Sequence, residues 1–215
     1  MGEYAAFVTA GALRLDDALL LIARRAQLMV ANCAVRKSGM VACRLPVEAA
    51  RTELANIFGH SERLVIACDN SPDDCVVAGD TDDLETFLGH CKAIGTKAIK
   101  LQVPFGFHSP AMEPLTESLR GLCSEIRMTE CKIPIVSSHL GKIVRPDHLP
   151  ADYLANHTRH AVHFSEAIQD LASFAGGQKL RFLEIGHTSG SKQNLFSPIT
   201  VEANCIQRRP WRSHH

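Results

Sequence analysis

Apolar residues recur at three- and four-residue steps over residues 15–32, where Leu15, Ala18, Leu19, Ile22, Ala26 and Met29 share one side of a helical wheel. The spacing predicts a helix, with Asp16 and Asp17 in its first turn, where the dipole favours carboxylates. The period then shortens. Apolar runs at 40–43, 64–68, 75–78 and 98–103 read as strands. Between them helices are predicted at 46–58, opened by Pro46, and at 81–94, where Leu84, Phe87, Leu88, Cys91 and Ile94 line one face. The resulting order, β-α-β-β-α-β, is the split ferredoxin-like pattern and outlines a small subdomain at about residues 36–103 inserted in something larger. Beyond it, Met112, Leu115, Leu119, Leu122 and Ile126 mark a further helix. Short strands are predicted at 133–137 and 142–144, helix over 151–174 with a break near Ala161, and a buried-type strand at 180–185. Residues 207–215 have no periodicity and read as a disordered tail.

Composition narrows the classes. The 215 residues carry 23 Lys+Arg and 23 Asp+Glu without long runs, which argues against a nucleic-acid or anionic-membrane partner, whose footprint would be a basic patch. No apolar run approaches the roughly 18 residues of a membrane span, and the first residues lack the basic start of a secretory signal. None of the eight cysteines forms a Cys-x-x-Cys, and several sit in apolar runs where a thiol acts as a small hydrophobe. A reduced, cytoplasmic compartment follows as the expectation.

Two residues stand out chemically. Arg25 falls at the edge of the predicted apolar face between Ala18, Ile22 and Met29, whereas Arg24 points away from it. A guanidinium there pairs with a carboxylate, snorkels on its stem, or binds an anion; spacing alone favours the first two. His108 lies in a loop bracketed by Gly106 and Pro110 between a strand and a helix, where catalytic side chains are often displayed. The plainer reading is a loop histidine bonded to a backbone carbonyl.

The loop Val-Pro-Phe-Gly-Phe-His-Ser-Pro at 103–110 resembles the Phe-Ala-Phe-His-Ser histidine loop of malonyl-CoA:acyl carrier protein transacylases. Gly-Glu-Tyr-Ala-Ala at 2–6 resembles the segment that follows the nucleophile in that family's Gly-His-Ser-Leu-Gly-Glu-Tyr-Ala-Ala elbow, so Met1 falls just after the serine. Arg-Ala-Gln-Leu-Met at 25–29, Ala-Cys-Asp-Asn-Ser-Pro at 67–72, Val-His-Phe-Ser-Glu-Ala-Ile at 162–168 and Phe-Leu-Glu-Ile-Gly at 182–186 resemble further family stretches. The forms at Arg25 and His108 are most similar to acyltransferase domains of fungal iterative, non-reducing polyketide synthases. The resemblance implies an α/β fold: a partial α/β-hydrolase-like large subdomain, residues 1–35 and 104–206, with the ferredoxin-like insert at 36–103. It implies that His108 is the general base, that Arg25 holds the free carboxylate of malonyl, and that Phe107 lines the substrate site and selects malonyl over methylmalonyl. Malonyl-CoA is then the substrate, the phosphopantetheine of an acyl carrier protein the acceptor, and other synthase domains the partners, with no bound cofactor and no metal. The expected nucleophile lies ahead of Met1, which makes the chain an N-terminally truncated fragment, inactive alone. The alternative is a catalytically dead remnant that only binds carrier protein or CoA; a serine hydrolase of another kind has no use for the arginine.

Other motifs compete. Gly-His-Ser-Glu-Arg at 59–63 lacks the second glycine of a nucleophile elbow and precedes a strand, so it reads as a turn. Gly-His-Thr-Ser-Gly at 186–190 has no clear helix after it. His157, His160 and His163 recur at steps of three, but such steps drift around a helix and no carboxylate or cysteine completes a metal set. Ser109 adjoins His108, and sequence neighbours seldom reach nucleophile-base geometry.

Overall fold

The computed structural model describes residues 2–33 and 37–182. In chain order the elements are α1 (Gly2–Thr9), α2 (Leu15–Cys33), β1 (Ser38–Cys43), α3 (Val47–Phe58), β2 (Leu64–Ser71), β3 (Asp74–Asp80), α4 (Thr81–Ala93) and β4 (Ala98–Lys100). A 3-10 turn at Pro110–Met112 leads into α5 (Glu113–Ser124), followed by β5 (Ile135–Ser137), β6 (Lys142–Val144), α6 (Tyr153–Arg159), β7 (Val162–His163) and α7 (Phe164–Ala175).

One sheet has the order β4-β1-β3-β2-β7. Its first four strands pair antiparallel, and β7 adds in parallel to β2 through Cys68–Val162 and Asp69–His163. Successive side chains of a strand point to opposite faces, and here both faces are covered. Val41, Cys43, Ile66, Cys75 and Val77 pack under α3 and α4 with Leu54, Leu84 and Phe87, while Met40, Ala42, Ala67, Val76 and Ala78 form a second cluster on the other face. Burial on both faces explains why these strands read as continuous apolar runs rather than alternating ones. A third and larger core joins four further helices: Tyr4 and Phe7 of α1, Leu21 of α2, Leu115 and Leu119 of α5, and Tyr153 and Leu154 of α6.

Several expectations shift. The helix expected over 151–174 divides into α6 and α7, and the expected break is a two-residue strand that docks on β2. The strand expected at 98–103 stops at Lys100, because Leu101 leaves the ladder after one bond to the Met40 carbonyl. Of the strand expected at 180–185, residues 180–182 form none, and 183–185 lie outside the described residues, as do Gly186 to Gly190 and the tail. No helix among the described residues is long and apolar enough to cross a membrane. The seven described cysteines are all free, five of them buried.

Candidate active site

On α2 the buried side is Ala18, Leu21, Arg25, Met29 and Cys33. Leu15 and Leu19, expected to face inward, are 58% and 56% exposed. The helix is therefore rotated relative to its apparent stripe, and Arg25 lies in the middle of the packed face, only 8% exposed, instead of at its edge. The cause is composition: α2 is apolar on more than one side, so contact with the helical core chooses the face. Arg24, by contrast, is exposed and donates to Gln27 at 3.2 Å.

His108 has φ 60, the one positive value among the described non-glycine residues. Such a conformation is uncommon for a residue with a Cβ and persists only where its surroundings impose it. Its backbone N–H donates to the Thr158 carbonyl at 3.2 Å, and its Nδ1 lies 2.8 Å from the His160 carbonyl. A carbonyl only accepts, so Nδ1 carries the hydrogen and Nε2 keeps the lone pair of the neutral ring. Burial first, then repulsion from His157, lowers the ring to about 4, opposed by its backbone bonds. His108 is thus neutral and able to accept a proton throughout the neutral range.

The loop carrying it is fixed from both sides. Gly106 N–H donates to Ser38 Oγ at 2.9 Å, and Ser109 Oγ donates to the Gly106 carbonyl at 2.6 Å while accepting from Ala111 N–H at 3.2 Å. Buried Ser109 is thereby an N-cap, which occupies its hydroxyl. Phe107 packs edge-on to Phe105, with ring centroids 6.0 Å apart, and touches both the helical core and the Met40 cluster. Arg25, Met29, Met40, Cys68, Phe107 and His108 share the wall of one largely apolar pocket of about 420 Å3. Residues separate in sequence thus converge as a guanidinium, a neutral imidazole and an apolar lining.

Behind His108 lies a group that the sequence reading passed over. Glu3 is buried and accepts from the Tyr153 hydroxyl, from Ser138 N–H and Oγ–H at 3.3 and 2.7 Å, and from His157 Nε2 at 3.2 Å. Ser137 donates to the Tyr153 oxygen in turn. Burial alone would raise the Glu3 carboxyl; His157, Tyr153 and Ser138 outweigh it and bring the group down to about 2. A carboxylate does therefore meet His157, but from α1, and no local spacing could signal it. His160 caps α6 and His163 lies in β7, so the three histidines do not share a helix. Among the described residues no group of three or more His, Cys, Asp or Glu side chains is placed to hold a metal ion. The Gly59 to Arg63 segment is an exposed turn in which Ser61 Oγ donates to the Phe58 carbonyl at 3.0 Å.

Comparison with known proteins decides the family. The acyl transferase domain family matches residues 1–201. This chain belongs to it. The acyltransferase chain is 37% identical over 182 residues to orsellinic acid synthase ArmB of Armillaria ostoyae, covering 81% of this chain and 8% of that protein. It is 37% identical over 190 residues to the non-reducing polyketide synthase PKS1 of Zymoseptoria tritici, covering 86% and 8%. Among solved structures it is similar to the acyltransferase domain from module 8 of the salinomycin polyketide synthase, with TM-score 0.74, 30% identity and coverage of 80% of this chain and 40% of that one. A malonyl CoA-acyl carrier protein transacylase from Clostridium perfringens follows with TM-score 0.71, 26% identity, and 80% and 54% coverage. The mixed α/β acyltransferase fold is therefore shared, while the chain spans about one-twelfth of the length of its fungal relatives.

Proposed function

We propose that this chain is part of the domain of a non-reducing polyketide synthase that moves malonyl from CoA to the phosphopantetheine thiol of an acyl carrier protein. The observation that carries the reading is the single pocket shared by Arg25 and His108, whose Nε2 lone pair is free of the Nδ1 bond to the His160 carbonyl. In this reading the reacting serine precedes Met1 in a longer polypeptide. His108 Nε2 takes its proton as the oxygen attacks the thioester carbonyl, and returns that proton to the CoA sulfur as the C–S bond breaks. The carrier thiol then attacks the acyl-serine, His108 carries its proton to the serine oxygen, and malonyl leaves on the carrier. Arg25 faces the free carboxylate; a planar fork of donors suits a carboxylate better than a lysine ammonium. Phe107 bounds the space at the carbon next to the thioester carbonyl. The antiparallel order β4-β1-β3-β2 with α3 and α4 on one face supports a ferredoxin-like small subdomain near 36–103, set in a hydrolase-like larger one.

The test compares residues 1–215 alone with the longer polypeptide that carries them after Gly-His-Ser. Mass spectrometry after incubation with malonyl-CoA is expected to find a malonyl adduct on that serine in the longer polypeptide and none on residues 1–215. In the longer polypeptide Arg25→Ala should cut malonyl transfer roughly 10- to 100-fold, the worth of a charged hydrogen bond, while sparing acetyl transfer. Equal losses for both acyl groups would return Arg25 to a structural role.

A further inference from the structure

Beside the bonds that fix its loop, three contacts hold His108, whose φ is 60, and all three come from α6 and the residue that caps it. They are the Thr158 carbonyl on its N–H, the His160 carbonyl on its Nδ1, and the ring of His157, edge-on with centroids 5.8 Å apart. The aim of the ring therefore depends on where α6 sits and how it is turned about its axis. Apolar contacts fill space but tolerate small rotations of a helix; directional bonds in a buried setting do not. The buried bonds of the α6 side chains centre on Glu3: His157 lies on one carboxylate oxygen and the Tyr153 hydroxyl, itself taking the Ser137 donor, on the other. The first oxygen also takes both donors of Ser138, which ties the same point to the β5–β6 turn.

We propose that Glu3 and His157 form a positioning pair for His108: the buried carboxylate fixes the rotation of α6, and α6 fixes the conformation, tautomer and aim of the His108 ring. The role of the pair in transfer rests on the reading of His108 as the base. Its structural part stands alone. Glu3 lies in α1, and α1 packs on α6 through Phe7 against Tyr153, centroids 6.1 Å apart, and Tyr4 against His157, 6.5 Å apart. One pair thus registers two helices against each other and orients a third residue touched by neither α1 nor Glu3 hydrogen bonds. An apolar pair of equal volume would avoid the desolvation of a carboxylate, so stability alone does not account for Glu3. The direction of its bonds does. Other groups near the ring are His160 and Arg25, with His139 tilted against His160 at 5.6 Å and edge-on to His157 at 6.2 Å.

The experiment reads ring nitrogens, not transfer, so it separates this inference from the functional reading. The full chain is labelled with 15N-histidine and its long-range proton–nitrogen spectra are recorded at pH 7. Wild type is expected to show His108 as a single Nδ1–H tautomer. Glu3→Gln and His157→Leu should lose it, giving signals averaged between the two tautomers. His157→Gln keeps a donor toward Glu3 and should restore the wild-type pattern. Should Glu3→Gln not fold, Ser138→Ala with Tyr153→Phe removes two of the four donors and carries the same expectation. Asp83→Asn, which breaks the distant Arg63–Asp83 pair, is the control and should leave the tautomer unchanged. A wild-type His108 tautomer in both Glu3→Gln and His157→Leu would overturn the proposal, as would an equal change in Asp83→Asn.

Discussion

Glu3 and His108 are both held below their ordinary values, for opposite reasons. Glu3 is stabilised as an anion by donors that overcome its burial; His108 is stabilised as a neutral ring by burial and by repulsion from His157. Both shifts act in the same direction on stability. A folded-state value below the unfolded one means that the unfolded chain binds protons first, so stability present at neutral pH is lost as pH falls. For His108 the window runs from 6.5 down to about 4, and for Glu3 from 4.5 down to about 2. Burial lowers His139 and His160 as well, and they add to the upper window. Urea midpoints measured from pH 8 to pH 3 are expected to decline below 6.5 and to keep declining below 4.5. His108→Gln should shallow the upper part of that decline and leave the lower part. A midpoint that holds constant between pH 6.5 and 4 would show that the ring gains protons equally in the folded and unfolded chains.

Two glycines that look alike in sequence, one in the sheet and one in a helix, have opposite roles. At Gly79 in β3 an added Cβ would stand 2.4 Å from the Arg63 carbonyl oxygen and 2.6 Å from Leu64 Cδ2, so β2 and β3 could not keep their spacing. Gly89 in α4 meets nothing within 4 Å and has no left-handed backbone. Gly79→Ala should therefore destabilise by about 1–3 kcal/mol, the usual range for overpacking, with a lower urea midpoint. Gly89→Ala should stabilise by about 0.5–1 kcal/mol, because alanine loses less backbone freedom in a helix. The same sign for both would show that the β2–β3 spacing yields to a methyl group. The strands and helices over 38–100 were legible because their periods are clean and Pro46 opens α3. The register that makes Gly79 indispensable was not, since it pairs residues whose contact depends on the strand alignment and its bulges.

Across the whole molecule, apolar surface is unevenly covered. Leu15, Leu19, Leu20 and Val30 of α2, and Phe174 of α7, are all half exposed or more, whereas among the described residues Ile94 alone of the exposed large hydrophobics falls within 36–103. That stretch has four paired strands and a buried cluster under its own two helices, which satisfies what a sheet needs to stand alone. Limited proteolysis should cut first in residues 1–35 and beyond 104 and leave a resistant fragment close to 36–103, identified by mass. Uniform resistance from end to end would mean that the two parts stabilise each other as one cooperative unit.

Period and local chemistry are properties of neighbours along the chain, and they were enough for the order of strands and helices over 38–100 and for singling out Arg25 and His108, while Phe107 came with the family resemblance. Which side of α2 faces inward was beyond them, because α2 offers apolar residues on several sides and only the core it meets could choose Leu21 and Met29 over Leu15 and Leu19. The carboxylate of Glu3 carried no role in the sequence beyond its place in the family stretch at 2–6. Tertiary structure alone brings it to Tyr153, Ser138 and His157, since a buried charge takes its partners from wherever folding delivers donors, and no spacing along the chain records that meeting.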